Sequence, residues 1–269
     1  MKVPVLLPKI FNYPLTYLNE SNFSLKAGDI VEVPFGKNKE VGVVWDKIQP
    51  TNKNIKYKKI DKKIEGFSIN KNLIKFIEWF SSYNIVSKGM VLKMCLGNKN
   101  NALKKEEVNT HKQVELSNKY LLNTEQKKAL KDIVKTGNSF DVSVLQGVTG
   151  SGKTLVYFER IKKILDKKKQ VLVLLPEIFL TNQFKERFFD FFGFNPAVWH
   201  SKITPKNKRI IWQGIIKDKT KLIIGARSSL LLPFKNLGLI VVDEEHDPSY
   251  KQDEGIIYNA RDMAITRAS

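Results

Sequence analysis

Residues 147–154 read Gly147-Val-Thr-Gly-Ser-Gly-Lys153-Thr154, a complete G-x-x-x-x-G-K-[ST] pattern. It restricts the fold because the chemistry requires a strand before it and a helix after it. Gly147, Gly150 and Gly152 let successive backbone N–H groups close around phosphate oxygens, and the start of the next helix adds positive potential. Lys153 reaches the terminal phosphates and Thr154 can ligate Mg²⁺. The context fits, since Val142–Leu145 is a short apolar run and Val156, Ile161, Ile164 and Leu165 follow at helical spacing. A glycine-rich turn that binds nothing is the competing reading.

The residues downstream support an ATP site. Gln170–Leu175, Lys221–Ile224 and Leu239–Val242 are further short apolar runs separated by helix-patterned stretches. Strands buried on both faces and joined by helices predict an α/β fold with a parallel sheet. The run Leu239-Ile-Val-Val-Asp243-Glu244-Glu245-His246 ends a strand in acids, at the sheet edge where Thr154 is expected. Asp243 would hold Mg²⁺ through water and Glu244 would polarise an attacking water. An acidic surface loop explains the run alone, but not the run and the phosphate loop together. Metabolic P-loop kinases rarely place D-E-x-H here, whereas ATP-driven nucleic-acid motors do.

The first half has a different rhythm. Asp29-Ile-Val-Glu-Val-Pro-Phe and Val41-Gly-Val-Val-Trp45 are β-type runs separated by Gly28, Gly36 and a Lys37-Asn-Lys turn, which predicts a small, mainly β domain. Leu73, Ile74, Phe76, Ile77 and Phe80 then predict one helix packed on that sheet. Residues 98–121 are polar and without hydrophobic period, as linkers are. The expected division is therefore residues 1–97, a linker over 98–121, and a second domain over 122–269.

Composition narrows the partners. The net charge is +19, spread over both halves, with all six arginines in the second half. Such a balance favours polyanions such as nucleic acid, although a Lys-, Asn- and Ile-rich chain is basic from composition alone. The single cysteine, Cys95, excludes an internal disulfide and a multi-cysteine zinc site within these residues, and fits a reducing cytoplasm. Cys95 itself reads as a buried small apolar residue. No apolar run approaches the eighteen residues of a membrane span, and no signal peptide is read.

These segments together resemble the PriA family of primosomal replication-restart DNA helicases, within superfamily 2. The resemblance is carried by Leu122-Asn-Thr-Glu-Gln126, the phosphate loop, Leu175-Pro-Glu-Ile-Phe-Leu-Thr181, Ile224-Gly-Ala-Arg-Ser-Ser229, Asp243-Glu-Glu-His-Asp247 and Ser249-Tyr-Lys-Gln-Asp-Glu-Gly255. In the first half it rests on Phe11-Asn-Tyr13 and Val33-Pro-Phe-Gly-Lys37. It implies a RecA-like motor lobe preceded by a domain that binds a DNA 3′ end, with ATP and Mg²⁺ as cofactors.

The resemblance also implies roles. Pro176, Glu177, Thr181, Arg227 and Ser228 match segments that line the DNA path, where strand-end amides and a cation suit phosphate contacts. His246 matches the residue linking the ATP site to the DNA side. Tyr250, Lys251, Gln252 and Tyr258 resemble an aromatic-rich loop that senses single-stranded DNA by stacking, with Ile256 where a tryptophan is expected. Phe11, Tyr13, Gly36 and Lys56 match a pocket for a 3′-terminal nucleotide, with Asn12 in place of an aspartate. Gln126 reads either as an adenine contact or as a polar surface residue, and His200 as a packed strand-end histidine.

Two departures bear on function. No winged-helix domain stands between the halves, and the sequence reaches neither the family's cysteine-rich zinc insertion nor the second motor lobe with its arginine finger. The expectation is the N-terminal part of an ATP-dependent helicase acting at stalled forks. It would act with forked and single-stranded DNA and with replication-restart and helicase-loading proteins, away from membranes. The alternatives are another superfamily 2 translocase, such as a branch-migration motor, and a fork-binding module without turnover.

Overall fold

In the first half, alternate residues of each strand face opposite sides of one antiparallel sheet, and both sides are covered. The computed structural model describes residues 1–46, 56–108, 120–134, 140–148, 150–179 and 181–269. Five strands, β1 (Lys2–Leu6), β2 (Leu15–Leu18), β3 (Asp29–Phe35), β4 (Asn38–Val44) and β5 (Lys62–Ser68), pair in the order β2-β1-β4-β3-β5. Val3, Val5, Val31 and Val33 pack on one face with Leu7, Tyr17 and Ile60. Leu6, Ile30, Val41 and Val43 face the other way. There they meet α1 (Lys71–Tyr83), which buries the predicted Leu73, Ile74, Phe76, Ile77 and Phe80, and α2 (Lys88–Leu96). Gly89 allows α2 to approach closely, since a Cβ there would lie 2.1 Å from Lys9 O.

The second half is a four-stranded parallel sheet. After α3 (Asn100–Leu103), α4 (Thr124–Val134) and α5 (Lys153–Asp166) come β6 (Gln170–Leu174), α6 (Asn182–Phe192), β7 (Ala197–Trp199), α7 (Pro205–Ile216), β8 (Leu222–Gly225) and β9 (Leu237–Val242). The strand order is β7-β8-β6-β9. Val171 and Val173 turn toward Phe158, Ile161, Phe188 and Phe192 of α5 and α6. Leu172 and Leu174 turn toward Trp212 and Ile215 of α7 and Met263 of α8 (Ala260–Ala268). At the start of β6 the buried Gln170 amide is fully used: it donates to Ile215 O and Thr220 O and accepts from Lys235 N and Asn236 N.

One expected strand is absent. Val142–Leu145 takes part in no ladder, and Val144 is 87% exposed. A parallel strand buried on both faces is stable when flanked on both sides. Among the described residues β7 and β9 form the two outer edges of the sheet, and every residue of both is half-buried. The apolar pattern records a preference for burial without the flanking strand that satisfies it.

The two halves share one apolar core. Phe67 packs on Trp212 with ring centres 5.6 Å apart, Phe80 packs edge-on to Tyr258 at 5.3 Å, and Arg267 lies over the Phe76 ring at 5.1 Å. Burial lowers the Arg267 pKa to about 10. Asn70 caps α1 through Leu73 N while its amide donates to Phe234 O and Lys235 O. Within the stretch read as a linker, residues 109–119 lie outside the described residues. Before them, Gln213 donates to Asn101 O and Lys104 O and accepts from Glu106 N, and Arg209 pairs with Glu106 at 2.7 Å. Residues 101–106 thus pack on α7.

Trp212 marks the joint, because its buried Nε1 donates to Cys95 O at 2.9 Å. Trp212→Phe keeps an aromatic ring and leaves that carbonyl unpaired, so a loss of about 1–3 kcal/mol is expected in denaturant unfolding. An unchanged midpoint would show that water reaches the carbonyl.

Candidate nucleotide site and DNA-facing residues

The carboxyl ends of β6, β8 and β9 lie on one edge of the sheet, and the phosphate loop opens α5 at the same edge. The loop geometry comes from its glycines. Gly150 and Gly152 both take φ +81°, a left-handed conformation that favours glycine. Thr149 lies outside the described residues. Lys153 turns its ammonium back on the loop, donating to Gly147 O at 2.6 Å and Val148 O at 3.2 Å. Gln126 holds the loop from α4, with Nε2 donating to Ser151 O at 2.9 Å and Oε1 accepting from Asn123 N at 3.0 Å. A Cβ on Gly152 would lie 2.3 Å from that amide nitrogen.

These residues fit a nucleotide's phosphates. The lysine is a cationic donor resting on neutral carbonyls, which charged phosphate oxygens would replace with stronger, charge-assisted bonds. The donor set for a hard cation is also oxygen-only: the Thr154 hydroxyl and the Asp243 carboxylate, the combination Mg²⁺ prefers.

Asp243 is fixed on several sides. Its N–H donates to Leu174 O at 3.1 Å, which ties it to β6. The buried Tyr250 hydroxyl sits between Asp243 O at 2.6 Å and Leu174 O at 2.9 Å. Of the carboxylate oxygens, Oδ1 accepts from Glu244 N at 3.1 Å and Oδ2 from the Tyr157 hydroxyl at 2.8 Å. Burial, followed by the Asp243 charge, pushes the Tyr157 pKa well above the usual tyrosine range. Glu244 has φ +48°, a left-handed conformation uncommon outside glycine that stores of order 1–3 kcal/mol of strain. His246 is exposed, with Nε2 3.7 Å from Glu244 Oε2.

The residues expected along the DNA path share this edge. Pro176 is buried at the end of β6, and Glu177 holds Ser201 through its backbone N–H and its hydroxyl, both at 3.4 Å. Thr181 caps α6 by accepting from Phe184 N at 3.2 Å. Arg227 follows β8 and donates to Ser249 O at 3.0 Å and Lys251 O at 2.7 Å, while Ser228 is exposed. His200 accepts from Lys202 N through Nδ1.

One expectation needs correction. Tyr250 and Tyr258 are 2% and 3% exposed, so neither ring faces outward to stack on a base. Tyr250 is drawn inward by the two carbonyls its hydroxyl reaches, and Tyr258 by Phe80. Burial raises the Tyr258 pKa to about 12. Lys251 remains on the surface beside Asp253, and Gln252 bonds to Glu254 O and Ile256 O.

The first half gathers a second cluster. Phe11 lies 6.0 Å from Tyr13 and 5.8 Å, edge-on, from Phe35, ring centre to ring centre. Tyr13 is exposed, and Gly36, at φ +62°, has open space where a Cβ would stand. Lys56 is exposed. Lys58, which the sequence reading did not single out, reaches Gly36 O at 3.2 Å. Asn12 Oδ1 faces α2 and α1, accepting from Lys88 N at 3.4 Å and Ser81 Oγ at 3.5 Å.

Comparison with known proteins agrees with this two-part layout. Residues 2–97 match the PriA-type 3'DNA-binding domain (3'BD), and residues 123–267 match the DEAD/DEAH box helicase family. The replication restart protein PriA of Rickettsia conorii is 44% identical over 98% of this chain and 40% of its own length. PriA of Helicobacter pylori is 35% identical over 94% and 38%, and that of Bacillus subtilis 46% identical over 55% and 18%. The chain thus spans about 40% of the length of the Rickettsia relative. A DEAD/DEAH box helicase domain implies ATP and Mg²⁺ binding, and the 3'DNA-binding domain implies DNA as a partner. No helix of the described residues is long and apolar enough to cross a membrane. With a match over more than half of its length, the chain belongs to the DEAD/DEAH box helicase family, and it carries a PriA-type 3'DNA-binding domain ahead of the helicase lobe.

Proposed function

We propose that this chain is the fork-recognising and ATP-binding part of a cytoplasmic DNA helicase that restarts replication at stalled forks. There it would support the loading of further replication proteins. The single observation carrying this reading is the shared edge: the phosphate loop, Asp243 with Glu244, and the segments after β6 and β8 converge there, while the Phe11–Tyr13 cluster stands on the first sheet's other apolar face.

In this reading Lys153 and the loop amides bind the phosphates, and Gln126 steadies the loop from α4. Thr154 and Asp243 hold Mg²⁺, which supplies charge neutralisation on the phosphoryl group. Glu244 orients the attacking water, and its strained backbone keeps the carboxylate from relaxing into an ordinary helical turn. Arg227 and Ser228 contact the DNA backbone. Phe11, Tyr13, Gly36, Lys56 and Lys58 receive the 3′-terminal nucleotide. Because Asn12 faces α2, selectivity for the 3′-hydroxyl comes from backbone carbonyls that accept its proton, while Lys56 and Lys58 contact the strand's internal phosphates.

Competition between DNA ending in a 3′-hydroxyl and the same strand ending in a 3′-phosphate tests the pocket. The hydroxyl end is expected to win. Base stacking on an aromatic ring is worth about 1–3 kcal/mol, so Tyr13→Ala should weaken binding by about 10-fold or more, with Lys56→Ala also reducing it. Equal affinity for both ends, unchanged in Tyr13→Ala, would remove the 3′-end reading.

A further inference from the structure

Tyr157 stands where a phenylalanine would serve the packing equally well. Its ring is buried, edge-on to Phe158 at 5.2 Å between centres, within the apolar layer between α5 and the sheet. The hydroxyl does something the layer does not need. It lies three residues beyond Thr154, on the same face of α5. It donates to Asp243 Oδ2 at 2.8 Å. The phenol thus ties the face of α5 that carries Thr154 to the Asp243 carboxylate.

We infer that Tyr157 is a positioning residue for the metal site, anchoring the Asp243 carboxylate to α5 one turn from Thr154 so that its oxygens face a cation in a fixed orientation. The inference rests on the reading of Asp243 as the metal-holding carboxylate. Glu244 N–H on Oδ1 and the Tyr157 hydroxyl on Oδ2 fix the carboxylate plane from both ends, yet each oxygen keeps a lone pair free. Outer partners of this kind typically change metal affinity by about 10–100-fold when removed.

The test is a titration of a fluorescent ATP analogue against the 269-residue chain, with MgCl₂ and with EDTA. Tyr157→Phe is expected to leave binding in EDTA unchanged and to raise the Mg²⁺ concentration needed for tight binding by about 10-fold. In an Asp243→Asn background the same substitution should add nothing, because the hydroxyl acts through that carboxylate. A thermal melt reports folding, and Tyr157→Met, which also lacks a donor and adapts to irregular space, replaces the phenylalanine variant should that one not fold. Equal loss in Mg²⁺ and EDTA would make Tyr157 a packing residue and overturn the inference. Tighter Mg²⁺ binding would also overturn it, since the hydroxyl would then compete with the metal. If Asp243→Asn leaves Mg²⁺ dependence intact, the assignment of Asp243 itself fails, an outcome distinct from either.

Discussion

Mixed with ATP, Mg²⁺ and forked DNA, the 269-residue polypeptide is expected to bind DNA and nucleotide but to hydrolyse ATP about 10³–10⁵-fold more slowly than a full-length PriA relative. In the proposed reading the lobe supplies a phosphate cradle, a metal-holding carboxylate and a water-orienting glutamate. Charge developing on the transferred phosphoryl group also needs an arginine from across the cleft, and that factor is what an arginine finger contributes. The six arginines all belong to the first lobe. Arg209 is bound to Glu106, Arg227 to the carbonyls of Ser249 and Lys251, Arg261 to Glu245 and Asp262, and Arg267 lies buried over Phe76. Arg160 and Arg187 sit on α5 and α6. Steady-state phosphate release by both proteins at one salt concentration settles the matter. Comparable rates would mean that a first-lobe arginine completes the site.

What could be read from the sequence follows how local each signal is. The phosphate loop and the strand ending in Asp243 are short patterns whose chemistry fixes both residue type and neighbourhood, so they placed the sheet edge. Alternation in Asp29–Phe35 and helical spacing in Leu73–Phe80 gave the first domain its sheet and helix. Long-range partners leave no such trace. Tyr250 and Tyr258 look like stacking residues in a run of polar neighbours, and only the carbonyls of Leu174 and Asp243 and the ring of Phe80 explain why they face inward. Residues 101–106 read as linker because the Gln213 amide that holds them stands more than a hundred positions away. The Val142–Leu145 run is the converse case, an apolar strand signal with no flanking strand to satisfy it among the described residues. Tyr157 had a faint signal, a phenol three residues after Thr154. It gained meaning only when Asp243 was found beside it.

Lys153→Ala is expected to weaken ATP binding or turnover by about 10²–10³-fold, the usual cost of removing one preorganised donor from a charged group, while leaving DNA affinity unchanged. The ammonium now rests on the carbonyls of Gly147 and Val148. Neutral carbonyls are weaker partners for it than phosphate oxygens, so the arriving phosphate recruits the lysine with little displacement of the loop. Alanine removes that charge and also frees the two carbonyls, which lie on an exposed loop and are satisfied by water. The fold should therefore be unaffected. In the proposed reading DNA affinity is set elsewhere, by the Phe11–Tyr13 cluster and by many lysines that displace counterions, and should fall steeply with salt in both forms. Measuring nucleotide affinity and salt-dependent DNA affinity on one preparation separates the outcomes. A parallel loss of both would mean that the loop and the DNA-facing segments at the shared edge form a single site, since Lys153 and Arg227 approach the ligand region from the same end of the sheet.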